Sequence, residues 1–190
     1  MVRKHTSELL SDNWYILRKH TYEFQQRDGQ WVNQIREAYD RGNGAAILLY
    51  NLKQGSVLLT RQFRLPTYIN GNPDGMLIEA CAGLLDELDP ADCVRRETEE
   101  ETGYRIQEVQ KVMEAYMSPG SVTEILHLFI GQYEASQKVS DGGGLAEETE
   151  DIEVLEYPFS EALNMIQTGE IKDAKTIMLL QHVALSKLFD

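Results

Sequence analysis

Gly83-Leu-Leu-Asp-Glu-Leu-Asp-Pro-Ala-Asp-Cys-Val-Arg-Arg-Glu-Thr-Glu-Glu-Glu-Thr-Gly-Tyr104 is the stretch on which the reading of this 190-residue chain turns. Asp89-Pro90 has the chemistry of an N-cap followed by a first-turn proline. Thr102-Gly103 has that of a helix end with glycine just beyond it, so a helix of about three turns is predicted between them. Positions i, i+3 and i+4 share a helix face, so Glu97, Glu100 and Glu101 converge while Glu99 points elsewhere. Three carboxylates on one stripe repel one another. Arg95–Glu99 and Arg96–Glu100, both i,i+4 pairs, offset part of this at about 0.2–0.5 kcal/mol each. The face that remains is either simply solvated or holds divalent cations, and all-oxygen donors select hard ions such as Mg²⁺ or Mn²⁺. A calcium loop over residues 86–97 fails as an alternative: its sixth place, where the turn demands glycine, is Ala91, and its third is Leu88.

Outward from this helix, short apolar runs and turn residues alternate. Residues 14–39 alternate in polarity around Arg27-Asp28-Gly29-Gln30, a hairpin signal, and predict an antiparallel pair in a small lobe. Arg41-Gly42-Asn43-Gly44 then breaks the chain, which sets the expected division at 1–41 and 42–190. Strands are predicted at 45–50, 57–62, 76–80, 109–116, 126–133 and 152–157, with loops over 66–74 and, mobile, over 140–144. Helices are predicted at 160–168 and 175–189, the last with an apolar face of Ile177, Leu180, Ala184 and Leu188. Strands, a capped helix, more strands and terminal helices argue for an α/β (α+β) sandwich with a mixed sheet rather than a doubly wound parallel one.

The charge is as uneven as the pattern. The net charge is −13, and residues 86–101 hold eight acids against Arg95 and Arg96, while residues 147–157 hold six acids and no base. Residues 1–64 run the other way, with ten Lys/Arg against six Asp/Glu. A strongly acidic chain is a poor non-specific binder of DNA or anionic membranes, so neither is expected as a partner. No run approaches the roughly 18–20 apolar residues of a membrane span, and Met1–Glu8 lacks the apolar core of an export signal, so a cytoplasmic chain is expected. Cys81 and Cys93 are too few for a disulfide framework and read as reduced, packed thiols. The four histidines, His5, His20, His127 and His182, are dispersed without zinc spacing.

The quoted stretch resembles the Nudix box, G-x5-E-x7-R-E-U-x-E-E-x-G-U, over residues 83–104. Gly83, Arg96, Glu97, Glu100, Glu101, Gly103 and Tyr104 stand in the family's places. Asp89 fills the first acidic slot, six residues rather than seven separate it from Arg96, and Thr98 stands where an aliphatic residue is usual. Further segments extend the likeness to the family's nucleoside-diphosphate-sugar branch, among them Arg61-Gln-Phe-Arg-Leu, Glu79-Ala-Cys-Ala-Gly, Met117-Ser-Pro-Gly and Glu148-Thr-Glu-Asp-Ile-Glu-Val.

The resemblance implies a Nudix-type α/β/α sandwich with a mixed sheet, preceded by a small antiparallel β N-terminal lobe used in dimerisation and substrate contacts. It implies a homodimer that cleaves the pyrophosphate of a nucleotide sugar, GDP-mannose foremost, to GMP and mannose 1-phosphate. ADP-ribose cleavage and a non-catalytic nucleotide-sensing domain are the alternatives. The implied metal donors are the Ala82 carbonyl, Glu97, Glu100, Glu101 and Glu150, for Mg²⁺ with Mn²⁺ as a substitute. The implied catalytic acids are Glu124, Glu148 and Glu100, with the general base open between Glu124 and Glu148. Implied substrate contacts are Trp14, Ile35, Arg36, Glu37, Arg64, Glu124, Thr149, Glu150 and Lys175. Some of these residues also have a plainer reading: Trp14 as hairpin core, Arg36 and Arg64 as strand-surface charges, Glu148 and its neighbours as a solvated acidic loop.

Overall fold

A computed structural model describes residues 1–145, 147 and 149–189. The chain forms two compact units, Met1–Asn43 with Tyr116–Ile125, and Gly44–Ala115 with Leu126–Asp190.

The first unit is an antiparallel three-stranded sheet of β1 (Val2–Asp12), β2 (Ile16–Gln25) and β3 (Trp31–Asp40), in that order. The predicted hairpin is β2–β3. Gln25 pairs with Trp31, Gly29 takes the left-handed φ of 87° that glycine tolerates, and Asp28 Oδ1 accepts from the Gln30 N–H at 3.0 Å. Strand β1 was not expected. Register shifts between Arg3 and Thr6 and between Leu9 and Ser11 break its two-residue alternation, which is the signal a strand leaves in sequence. These pairings also bring two of the dispersed histidines together, with His5 Nε2 2.8 Å from His20 Nδ1. The 116–125 segment joins this unit through Tyr39 N to Ser121 O (2.8 Å) and Thr123 N to Tyr39 O (3.1 Å).

The second unit is a seven-stranded sheet flanked by helices. Its strands are β4 (Gly44–Asn51), β5 (Ser56–Phe63), β6 (Met76–Glu79), β7 (Cys81–Leu84), β8 (Gln110–Tyr116), β9 (Ile125–Gln132) and β10 (Glu153–Pro158). The order is β10-β5-β4-β9-β8, with β6 added to β5 and β7 to β4. β4 and β9 run parallel while β4–β5, β4–β7, β5–β6 and β5–β10 are antiparallel, so the architecture is the expected mixed α+β. Ala45 through Leu49 are buried along the whole strand, as a central strand covered on both faces requires.

Among the described residues the α-helices of this unit are α1 (Leu65–Ile69), α2 (Pro90–Glu97), α3 (Phe159–Thr168) and α4 (Ala174–Leu185). The first replaces part of the loop expected over 66–74, with Pro66 in its first turn, where the missing N–H costs nothing. In α4 the buried face is Lys175, Thr176, Leu179, Leu180 and Val183. Of the four apolar residues expected there only Leu180 is buried; the apolar part of the buried face is Leu179, Leu180 and Val183, with Lys175 and Thr176 held inward by polar partners. Residues 140–144 are pinned rather than loose: Gly143 N–H donates to Glu101 O at 2.9 Å and Gly144 N–H to Glu100 O at 3.1 Å. Cys81 and Cys93 are free and buried, as expected.

Candidate active site

The acidic helix starts as its sequence dictates. Asp89 caps it by accepting from the Ala91 N–H at 2.9 Å, and Pro90 follows. After Glu97 the helix widens into a π turn, Thr98–Thr102, ended by Gly103 at φ 77°. A Cβ on Gly103 would meet the Ser140 carbonyl oxygen at 2.2 Å, so the glycine serves both the turn and the close approach of the next loop. The widened turn grades the three glutamates by depth. The Glu100 side chain is 30% exposed and that of Glu97 12%, while Glu101 is 1% exposed as a residue. It also breaks one expected pair: Arg95 bonds Asp92 (2.7 Å) and the Gln107 carbonyl (2.8 Å), and Glu99 pairs with Arg105 at 2.6 Å. Arg96 reaches Glu100 at 3.7 Å, as expected, but holds Glu97 more closely, at 2.6 Å.

The deepest carboxylates are held against glycine and sulfur. Glu97 lies on Gly83 of β7 so closely that a Cβ there would meet its Cδ at 2.2 Å. Burial raises the Glu97 pKa, with Glu100 and Glu150 adding to the rise and Arg96 opposing it. Glu101 is pushed up to about 8, first by burial and then by Glu97 and Glu150, against the opposing pull of the Cys81 thiol and Arg64. Its Oε2 is buried with no hydrogen-bond partner among the described residues. Glu150, from the late acidic segment, accepts from the Leu145 N–H at 3.0 Å and packs on Gly144, where a Cβ would come within 2.4 Å of its Oε2. Ala82 sits beside Gly83 on β7, paired with Ala46.

Two of the expected substrate contacts, Arg64 and Lys175, meet at a residue that sequence reasoning did not single out as a site residue. Glu79, at the end of β6, accepts from Arg64 Nε at 2.7 Å through one oxygen and from Lys175 Nζ at 2.6 Å through the other. Its signal in the sequence is a carboxylate set in the apolar strand pair of residues 76–84. Lys175 also pairs with Asp173 at 3.1 Å. Burial alone would lower the Lys175 pKa, but Glu79 and Asp173 outweigh it and hold the ammonium above its ordinary value.

The remaining candidates belong to the first unit or the late loop. Trp14 is 80% exposed, which removes the hairpin-core reading. Ile35, Arg36 and Glu37 follow one another on β3 and are all exposed, with Arg36 donating to the Ile35 carbonyl at 2.7 Å. The Glu124 carboxylate pairs with Arg41 at 3.6 Å. Thr149 is described, at φ 57°, while Glu148 lies outside the described residues.

Residues 1–39 match the family model for the GDP-mannose pyrophosphatase NudK N-terminal domain, and residues 40–180 match that for the NUDIX domain. The chain belongs to the Nudix family. It is 60% identical over 182 residues to a GDP-mannose pyrophosphatase of Yersinia enterocolitica, covering 96% of this chain and 94% of the relative. A GDP-mannose pyrophosphatase of Pectobacterium atrosepticum is 58% identical over 96% of this chain and 93% of its own length. One from Escherichia coli O1:K1 is 55% identical over 96% and 95%. The Nudix match marks the chain as a hydrolase of a family that generally uses divalent metal ions.

The residues of this Nudix domain fit such an ion. Glu97 and Glu150 both raise the Glu101 pKa and Glu150 raises that of Glu97, so the deeper two carboxylates feel the charge of the third, and Glu101 Oε2 is buried with no hydrogen-bond partner among the described residues. An all-oxygen set of this kind suits a hard divalent ion. Among the described residues no three His, Cys, Asp or Glu side chains form a ready-made cage. No helix among the described residues is long and apolar enough to cross a membrane.

Proposed function

We propose that this Nudix hydrolase cleaves the pyrophosphate bond of a nucleoside diphosphate sugar, with GDP-mannose giving GMP and mannose 1-phosphate. One observation carries the reading: relatives named GDP-mannose pyrophosphatase align at 55–60% identity with 96% of the chain, N-terminal lobe included. The lobe, residues 1–41, takes part in dimerisation and substrate contacts, and residues 42–190 form the hydrolase domain.

Glu97, Glu100, Glu101, Glu150 and the Ala82 carbonyl would hold Mg²⁺, or Mn²⁺ in its place. Such an ion, when bound, neutralises phosphate charge and lowers the pKa of the attacking water. The chain's own groups do the rest. Arg64 meets the phosphates with a guanidinium fork that suits their oxygens, and Lys175 supports it from the buried side. Trp14 stacks on the base, as its exposure allows, and Ile35, Arg36, Glu37 and Thr149 contact the nucleotide sugar. Glu124 serves as general base, with Glu148 the other acid for that role.

A homodimer in the cytoplasm completes the proposal. Its support is that no residue of 1–43 is buried, while Val2, Leu9, Leu10 and Ile35 are large, apolar and exposed on a three-stranded sheet that needs a cover. Light scattering should give twice the 21.7 kDa of the chain. Incubation with GDP-mannose and Mg²⁺ should release GMP and mannose 1-phosphate. No release across a panel of nucleotide sugars refutes the reading, and a higher kcat/KM on ADP-ribose reassigns the substrate.

A further inference from the structure

The geometry points to Glu79 as a positioning residue for the anionic substrate, acting through Arg64; this rests on the nucleotide-sugar reading above. The Glu79 carboxylate is 3% exposed as a residue, and each of its oxygens is taken by a different cation. Those cations come from remote segments, Arg64 from just before α1 and Lys175 from the first turn of α4. A second carboxylate extends the cluster: Asp173 pairs with Lys175 and accepts from both the Thr176 N–H and its hydroxyl. The Thr176 hydroxyl oxygen in turn accepts from the Ala80 N–H at 2.6 Å, next to Glu79 itself. Two cations and two carboxylates thus form a neutral, cross-linked unit that ties α4 to the β6–β7 segment leading into Gly83.

Stability alone does not explain such a unit. A buried ion pair roughly breaks even against well-packed apolar side chains, because desolvation offsets the Coulomb attraction. What the unit does supply is orientation. Glu79 takes Arg64 by Nε, so the two terminal nitrogens of a side chain that stays 39% exposed remain to meet phosphate oxygens. An arginine without that bond would sample many rotamers, and each phosphate contact would have to order it anew.

The sign of one substitution separates positioning from simple charge. Glu79→Gln removes a negative charge, so if Glu79 acted only through its field, an anion should bind more tightly. Positioning predicts the reverse. Calorimetric titration in EDTA, where no turnover occurs, reads binding directly, with GDP-mannose and inorganic pyrophosphate as separate titrants. Glu79→Gln should weaken both by about tenfold, the size of a lost charge-assisted bond, with KM rising in step and kcat changing by less than about threefold. In an Arg64→Ala background the same change should add less than about twofold, since its effect passes through Arg64. Tighter or unchanged binding by folded Glu79→Gln, or effects that multiply in the double variant, overturns the inference. If thermal melting shows that Glu79→Gln does not fold, Arg64→Lys carries the test. It keeps a cation for Glu79 but lacks the fork, and should bind as weakly as Arg64→Ala; binding within about twofold of wild type overturns the inference. A wild-type chain that binds but does not cleave GDP-mannose contradicts the proposed reaction alone. The pyrophosphate arm keeps the positioning test independent of which base and sugar are preferred.

Discussion

Gly83→Ala should separate catalysis from stability in this chain. The added Cβ would meet Glu97 Cδ and Oε1 at 2.2 Å and Cγ at 2.6 Å, where ordinary contact begins near 3.4 Å, so the carboxylate must retreat by roughly 1.2 Å. The obstruction is the end of a side chain, not backbone, and Gly83 does not occupy the left-handed region, so the fold yields at small cost. A loss of about 1 kcal/mol corresponds to a fall in Tm of roughly 2–4 °C at this chain length. At a metal-holding carboxylate a displacement of this size costs on the order of 10²-fold in turnover. The assay is kcat and kcat/KM on GDP-mannose across a Mg²⁺ series, with Tm measured in EDTA and in Mg²⁺. The expected variant melts in EDTA within about 4 °C of wild type, loses about 10²-fold in kcat/KM and gains less Tm from Mg²⁺. Wild-type turnover with wild-type Mg²⁺ activation would refute the placement of Glu97 among the metal donors.

Three further outcomes follow from the same geometry. In the metal-free chain the folded pKa of Glu101 is raised from 4.5 to about 8, so the native state binds more protons than the unfolded state between those values. Its contribution to stability is therefore fully present below pH 4.5 and declines as pH rises through 8; urea titrations in EDTA at pH 5, 6.5 and 8 should show this fall, and a flat profile contradicts it. Glu101→Gln should remove that decline while lowering kcat by orders of magnitude with the fold intact, a combination read by melting and turnover together; unchanged turnover rejects the ligand assignment. Trp14→Ala should leave stability within about 0.5 kcal/mol, because the ring is 80% exposed, yet raise KM for GDP-mannose through loss of roughly 1–3 kcal/mol of base stacking.

Much of the second unit was legible because its signals are local. Asp89-Pro90 and Gly103 mark the helix ends through bonds that span two to four residues, and the apolar run at residues 45–49 announces a covered strand by composition alone. Signals that depended on distance were weaker. The expected apolar stripe of α4 differs from its buried face, which includes Lys175 and Thr176, held inward by Glu79, Asp173 and Ala80, partners that helical periodicity does not register. Strand β1 escaped because its two register shifts erase the alternation that would have marked it. The π turn escaped for a related reason: helix capping rules mark where a helix starts and stops, not how wide its last turn is.

By itself, then, the amino-acid order determined a capped helix carrying Glu97, Glu100 and Glu101 on one face, a second acidic segment with Glu150, and a family resemblance that the comparisons bear out. Tertiary structure alone decided how those carboxylates differ. Glu101 became a deeply buried carboxyl whose pKa burial pushes up and whose Oε2 has no hydrogen-bond partner among the described residues, Glu97 a carboxylate wedged on Gly83, and Glu79 the clamp between Arg64 and Lys175. Helix capping and periodicity are set by neighbours along the chain, whereas desolvation and charge pairing depend on which distant residues close over a group.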